Sequence, residues 1–233
     1  MSSQPSMKID TPIGNLEWVF ITDKGREDLN GNPKFSVSVV IDPKQVDPAT
    51  TDKQAAAAAA FLKSVEEFWA ANKPKGREAP DTTGIKPHMV NTGNKDEDGD
   101  PIYEDDGKYV VNLKTGTEYQ DGKPKVIKTF NSKGAEVNLG GKKIGNGSRG
   151  RAGGIMSLYV TKKGKAIANA GVTFYLNSVQ LSKFVEFTGG DSFDAIDEED
   201  DDEDGGFEGI GDMGAIPDEP AEQSTKASGP RLD

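Results

Sequence analysis

Between Lys123 and Lys165 the chain carries eleven Lys or Arg residues and a single acid, Glu136. Ten net positive charges in 43 residues, interleaved with aromatic rings, form the side-chain set that unpaired nucleic acid requires. Cations follow the phosphates, and each base offers a face worth roughly 1–3 kcal/mol when stacked on an aromatic ring. Lys123, Lys125 and Lys128 lie around Phe130; Lys142, Lys143, Arg149 and Arg151 flank a glycine-rich stretch; Lys162 and Lys163 follow Tyr159. Tyr109 and Tyr119 are further candidates, and each of these rings, Phe130 included, either stacks on a base or packs in the protein. The plain alternative for the lysines is a solvated surface run. Their interleaving with aromatics argues for an interface.

Other constellations give little support to catalysis. The one histidine, His88 in "IKPHMVN", has no neighbour that marks it as a base, so the chain is expected not to be an enzyme. "GNGSRG" (Gly145 to Gly150) matches the dinucleotide-binding string, which needs a strand before it and a helix after it. Here it leads into the strand-like "RAGGIMSLYV", so that reading fails. "GGKKIG" lacks the Ser or Thr of a phosphate-binding P-loop. What remains is a loop without side chains, where a phosphate backbone approaches closely and four cations reward it. In "NKDEDGDPIYED", Asn94, Asp96, Asp98, Gly99 and Asp105 sit at calcium-loop positions, but a bidentate Glu and flanking helices are missing. A solvated hairpin loop fits better. No cofactor and no metal are expected.

The charge is divided along the chain. Residues 191–233 hold sixteen acids and two bases, a net of −14, with eight carboxylates in succession from Asp197 to Asp204. The remaining residues hold 23 acids and 26 bases, a net of +3. Such asymmetry points to a polyanion partner or an interaction tail. From Thr188 onward the chain is rich in Gly, Pro, Asp and Glu and too poor in apolar residues to offset the cost of ordering, which predicts a disordered acidic tail over 191–233 after a domain of residues 1–190. The absence of cysteine suits a reducing compartment, and no apolar run is long enough for a membrane span. A soluble, cytoplasmic protein is expected.

The elements that must position these residues are mostly strands. "KFSVSVVI" places Phe35, Val37, Val39 and Ile41 on one face and Ser36 and Ser38 on the other. "LEWVFI" separates Leu16, Trp18 and Phe20 from Glu17, Val19 and Ile21, which assigns Trp18 to the core. "KYVVNLKT", "KPKVIKTFN", "GIMSLYVTKK" and "GVTFYLNSVQLSKFVEF" are four further strands, the last with a bulge expected near Asn177 and Ser178. On "GIMSLYVT", Met156, Leu158 and Val160 share a face, leaving Ser157 and Tyr159 outward. One helix is clear: Asp47 as cap, Pro48 at the first position, an alanine run, and an apolar stripe of Phe61, Val65, Phe68 and Trp69. The expected fold is mainly β, a small antiparallel barrel with one long α-helix attached.

With these residues in place the chain resembles the bacteriophage single-stranded DNA-binding proteins of the T7 type. The resemblance lies in "EWVFI", "GNP" ahead of a strand ending in "IDP", the Ala-rich helix, "FNSKG", a Gly-rich turn before "SLYV", the closing "VQLSKFVEFTGG" and an acidic tail. It implies an OB-fold that coats single-stranded DNA in phage replication, recombination and repair, in the host cell cytoplasm. It also implies a tail that shields the DNA groove and meets host or phage replication proteins. The chain departs from those relatives by ending in "GPRLD" where they end on an aromatic residue, and its helix follows the second strand where the usual OB order places one after the third. A monomer or dimer with no membrane contact is expected. The competing reading is a phage scaffold or decoration protein whose acidic tail engages other subunits; a metal-dependent nuclease is more remote, because the dense carboxylates lie in the tail.

Overall fold

The computed structural model describes residues 4–188 except 23, 29 and 120. Its strands are β1 (Ser6–Asp10), β2 (Gly14–Phe20), β3 (Arg26–Glu27), β4 (Pro33–Ile41), β5 (Thr82–Thr83), β6 (Ile85–Lys95), β7 (Pro101–Gly116), β8 (Lys128–Phe130), β9 (Arg149–Lys163) and β10 (Ala166–Lys183), with one helix, α1 (Asp52–Asn72), after β4. The sheet runs β5-β10-β9-β2-β4-β7-β6, while β1 pairs with β9, β3 with β4 and β8 with β10. Pairing is antiparallel except where β5 and β8 join β10. This is the mainly β, one-helix, OB-like fold that the sequence predicts.

The ladder is open, yet its two ends are consecutive in the chain. Only Gly84 separates β5 from β6. The Gly84 amide donates to the Val172 carbonyl on β10 (3.0 Å), and the Gly84 carbonyl accepts from the Asn112 amide on β7 (2.8 Å). The barrel is therefore shut by one residue that serves both neighbours. Glycine is required there, since a Cβ would lie 2.3 Å from Cδ2 of the buried Phe174 ring.

Period-two burial builds the core. Phe35, Val37, Val39 and Ile41 of β4, Val111 and Leu113 of β7, Met156 and Leu158 of β9, and Val172, Phe174 and Leu176 of β10 are all buried. The stripe of α1 (Phe61, Val65, Phe68, Trp69) packs on them, with the Phe61 and Phe174 ring centroids 6.1 Å apart. The bulge in β10 falls between Leu176 and Ser178, as expected.

Several expectations are corrected. The helix begins at Asp52, with Thr51 and Gln54 forming a reciprocal capping box. Asp47 instead caps a turn, its carboxylate accepting from the Ala49 amide (2.9 Å). Local capping by Ser or Thr with a Gln three residues on outcompetes a Pro-led start. The "KPKVIKTFN" strand shrinks to Lys128–Phe130, because its first residues pair back on the end of β7 in a turn closed by Glu118 and Pro124. Ser157 is not outward: it is buried beside β1, its hydroxyl donating to the Pro5 and Leu158 carbonyls. The acidic tail lies outside the described residues.

Candidate nucleic-acid interface

The strand alternation that buries Val37, Val39, Val111 and Leu113 turns Ser36, Ser38, Asn112 and Lys114 to the opposite face. These residues floor a groove of about 830 Å³. Trp18 and Phe20 of β2 and Arg26 of β3 form one side; Thr82, Thr83, Lys86, Tyr159 and Thr173 form the other. Ser38 donates to the Asn112 side-chain oxygen (2.7 Å), so the floor is polar and satisfied. The Arg26 guanidinium stands 5.4 Å from the centroid of the Phe20 ring. Among the described residues, the charged groups lining this groove are Arg26, Lys86 and Lys114, all cations. Rings on both sides, cations without carboxylates and a hydroxyl-lined floor suit a phosphate chain carrying stackable bases.

Trp18 is the residue that sequence periodicity misplaced. It is 60% exposed, where strict alternation would bury it. The reason is a bulge: Glu17 pairs with Ser38 and Phe20 with Ser36, so Trp18 and Val19 together oppose Val37. Trp18 takes φ +50°, a left-handed conformation that bulky residues rarely adopt. The extra residue inverts the phase of the strand, turning the indole outward while Ile21 returns to the core. A bulky residue held at positive φ with its ring largely exposed is a functional candidate, because such conformations cluster at functional sites.

Tyr159 faces the same groove and is held in place. Its hydroxyl hydrogen-bonds the Thr82 side chain. Its ring lies over Gly171 of β10, where a Cβ would come within 2.8 Å of Cε1. An aromatic laid across a cross-strand glycine is a flat, preorganised platform.

The other predicted residues do not converge on this groove. Arg149 and Lys163 begin and end β9, about 45 Å apart at roughly 3.3 Å per residue. Arg149 lines a small cleft with Asp42, Asp47 and Lys108, and Arg151 donates from Nε to the Gln180 side chain (2.7 Å) beside the start of α1. Lys123 pairs with Asp121 (2.9 Å), and its hydrogen bond is the first of the contacts that hold that carboxyl below its ordinary value near 3.8. Lys128 pairs with Glu136 (2.9 Å) and Lys142 with Glu186 (2.6 Å). Lys143 lines an apolar cleft with Trp18, Ile144 and Phe187. Lys125 sits 5.0 Å from the exposed Tyr119 ring and shares a second cavity with Lys128. Tyr109 packs against the core, Phe130 is half-buried on β8, and Lys162 and Lys163 are exposed near the β9–β10 turn.

Of the rings and cations that line this groove, sequence reasoning singled out Tyr159 and not Trp18, Phe20, Arg26, Lys86 or Lys114. Lys114 was legible from its alternation with Val111 and Leu113. Arg26 and Lys86 stand alone in sequence and are recruited only by strand pairing.

A mainly β sheet closed through one residue, with a single helix packed on its core, is OB-like. No protein-family model and no curated protein sequence matches the chain. The single-stranded DNA-binding protein of bacteriophage Enc34, in complex with single-stranded DNA, superposes with a TM-score of 0.50 at 15% identity, over 78% of this chain and 89% of that one. Its C-terminally truncated form gives 0.49 at 15% identity, over 77% and 87%. The single-stranded DNA-binding protein encoded by bacteriophage T7 gives 0.48 at 21% identity, over 80% and 92%. The structural neighbours are therefore phage single-stranded DNA-binding proteins, and the likeness to the Enc34 complex establishes a shared fold.

Proposed function

We propose that this chain binds single-stranded DNA with little sequence preference, using the groove between Trp18 and Tyr159. The observation that carries the reading is the pairing of a strained, outward Trp18 with a pinned Tyr159 across a channel whose charged lining is Arg26, Lys86 and Lys114. Stacking tolerates any base and the cations meet phosphates, so coating without sequence readout follows. The fold shared with the Enc34 protein, solved with single-stranded DNA, supports the same reading. The basic residues 123–163 extend the contact beyond the groove, with Lys162 and Lys163 at a hairpin end clear of ion pairs among the described residues.

The acidic segment 191–233 acts as a tethered competitor. Fourteen net negative charges on the same chain as the groove occupy it when DNA is absent, and DNA displaces them. The freed segment then meets replication proteins, which places the chain in phage replication, recombination and repair within the host cytoplasm, as a binding protein and not an enzyme.

The test is a titration of labelled oligonucleotide across salt concentrations. Neutralising about six phosphates gives a log–log slope near −4, from roughly −0.7 per contact on single strands. A flat slope, or affinity unchanged in Trp18→Ala and Tyr159→Ala, rejects the groove. Deleting residues 191–233 should tighten binding, most at low salt; unchanged affinity removes the competitor role.

A further inference from the structure

His88, the chain's one histidine, joins two bulges. It sits on β6 where pairing with β7 slips: Pro87 opposes Tyr109 but Met89 opposes Asp105, so Asp106, Gly107 and Lys108 loop out of the ladder. Nδ1 of His88 lies 2.9 Å from the Asp106 carboxylate in that loop-out. Nε2 lies 3.4 Å from the carboxylate of Glu17, the residue immediately before Trp18 in the β2 bulge. The His88 side chain is only 15% exposed, and both carboxylates are largely covered.

The chemistry of this contact is constrained. A neutral imidazole carries one N–H, so it donates to one carboxylate and turns a lone pair on the other. Both contacts are attractive together only when the ring is an imidazolium. The charged groups around it are Glu17 from β2, Asp106 and Lys108 from β7 (Lys108 Nζ 3.3 Å from Asp106), and Asp47 from the β4–α1 connection, 3.9 Å from Lys108. Lys108 and the shorter bond to Nδ1 keep Asp106 engaged in either state. Burial disfavours the charged form of Asp106, but bonds from His88 and the Lys108 amide outweigh it and hold the carboxyl below its ordinary value near 3.8. Glu17 has no such second cation within ion-pairing distance among the described residues, so loss of the ring's charge releases Glu17 first.

We infer that His88 is a positioning residue for Trp18: its imidazolium clamps Glu17, fixes the left-handed bulge and presents the indole to the groove, so single-strand capture is coupled to pH. The inference rests on the groove assigned above. Histidine is the side-chain type whose charge ordinarily changes between about pH 5 and 8, and the chain has one.

The experiment reads Trp18 directly. In full-length Trp69→Phe protein Trp18 is the sole indole, and its emission and acrylamide quenching are followed from pH 5 to 7.5. The expected result is one sigmoidal change, abolished in His88→Gln with the fold retained by circular dichroism. Glu17→Gln, which leaves His88 in place, should abolish it as well and serves if His88→Gln does not fold. Oligonucleotide affinity should fall about three- to tenfold across the same range in the parent and stay level in the variants. A flat parent profile, or a step that survives in both variants, overturns the inference. A protein that shows the emission step yet ignores oligonucleotide leaves His88 positioning intact and refutes the assigned function instead.

Discussion

The Tyr159 hydroxyl on β9 bonds the Thr82 side chain on β5 across the intervening strand β10, so one ring of the groove is fixed to the strand that closes the barrel. A stacking platform is useful only if its rotation is already restricted before the base arrives. Thr82→Val frees the ring without removing it. A net side-chain hydrogen bond is worth about 0.5–1.5 kcal/mol, so oligonucleotide affinity should fall about two- to tenfold. Tyr159→Phe should cost the same, and the double variant no more than either, as measured by anisotropy. Additive losses would mean that the two residues act separately.

Trp18 should trade stability against binding. A left-handed conformation costs a bulky residue about 1–2 kcal/mol, which glycine does not incur. Trp18→Gly is expected to unfold at a urea midpoint equal to or above the parent, while affinity drops by the roughly 1–3 kcal/mol of a stacked base. A clear loss of stability would instead make the indole a packing element.

Gly84→Ala tests the closure. The added methyl meets Phe174 at 2.3 Å, and neither the ring, packed on Phe61, nor the backbone, bonded to β7 and β10, can yield cheaply. Overpacking of this kind costs about 1–3 kcal/mol by chemical denaturation. Phe174→Leu in the same chain should recover part of that loss.

Asp42 sets an acid limit. Burial opposes its charge, but the Asp47 and Val46 amides, with the Thr50 hydroxyl and the Lys44 amide, outweigh it and hold the carboxyl below its ordinary value near 3.8. A folded-state value lower than the unfolded one gives stability that is full above the unfolded value and is lost as pH falls below it through the folded value. Melting temperature should therefore decline below about pH 4, and Asp42→Asn should decline less steeply while starting lower at pH 7.

The core was readable in the sequence because β4 and β7 keep strict alternation, and the helix because its stripe repeats at helical spacing. The groove was only half readable. Tyr159 sits in an unbroken strand, so counting by two places it outward. Trp18 sits in a bulge with Val19, and a bulge inverts the positions after it without leaving a glycine to announce it. The lysines of 123–163 look like one patch in the sequence, yet β9 alone spreads them along its full length, and Asp121, Glu136 and Glu186 pair with three of them. Neighbourhood in sequence could not reveal partners drawn from as far away as Glu186.

The bond from Gly84 to Val172 joins residues 88 positions apart. During synthesis the residues around Thr82 leave the ribosome long before β10 exists, and for that interval the early strands have no partner on their closing side. Unpaired sheet edges invite pairing with other chains. Closure is also a long-range event, which slows folding relative to local hairpins. Any truncation that removes β10 would therefore leave an unzipped sheet rather than a smaller barrel, and the yield of active protein in a cell depends on how long that interval lasts.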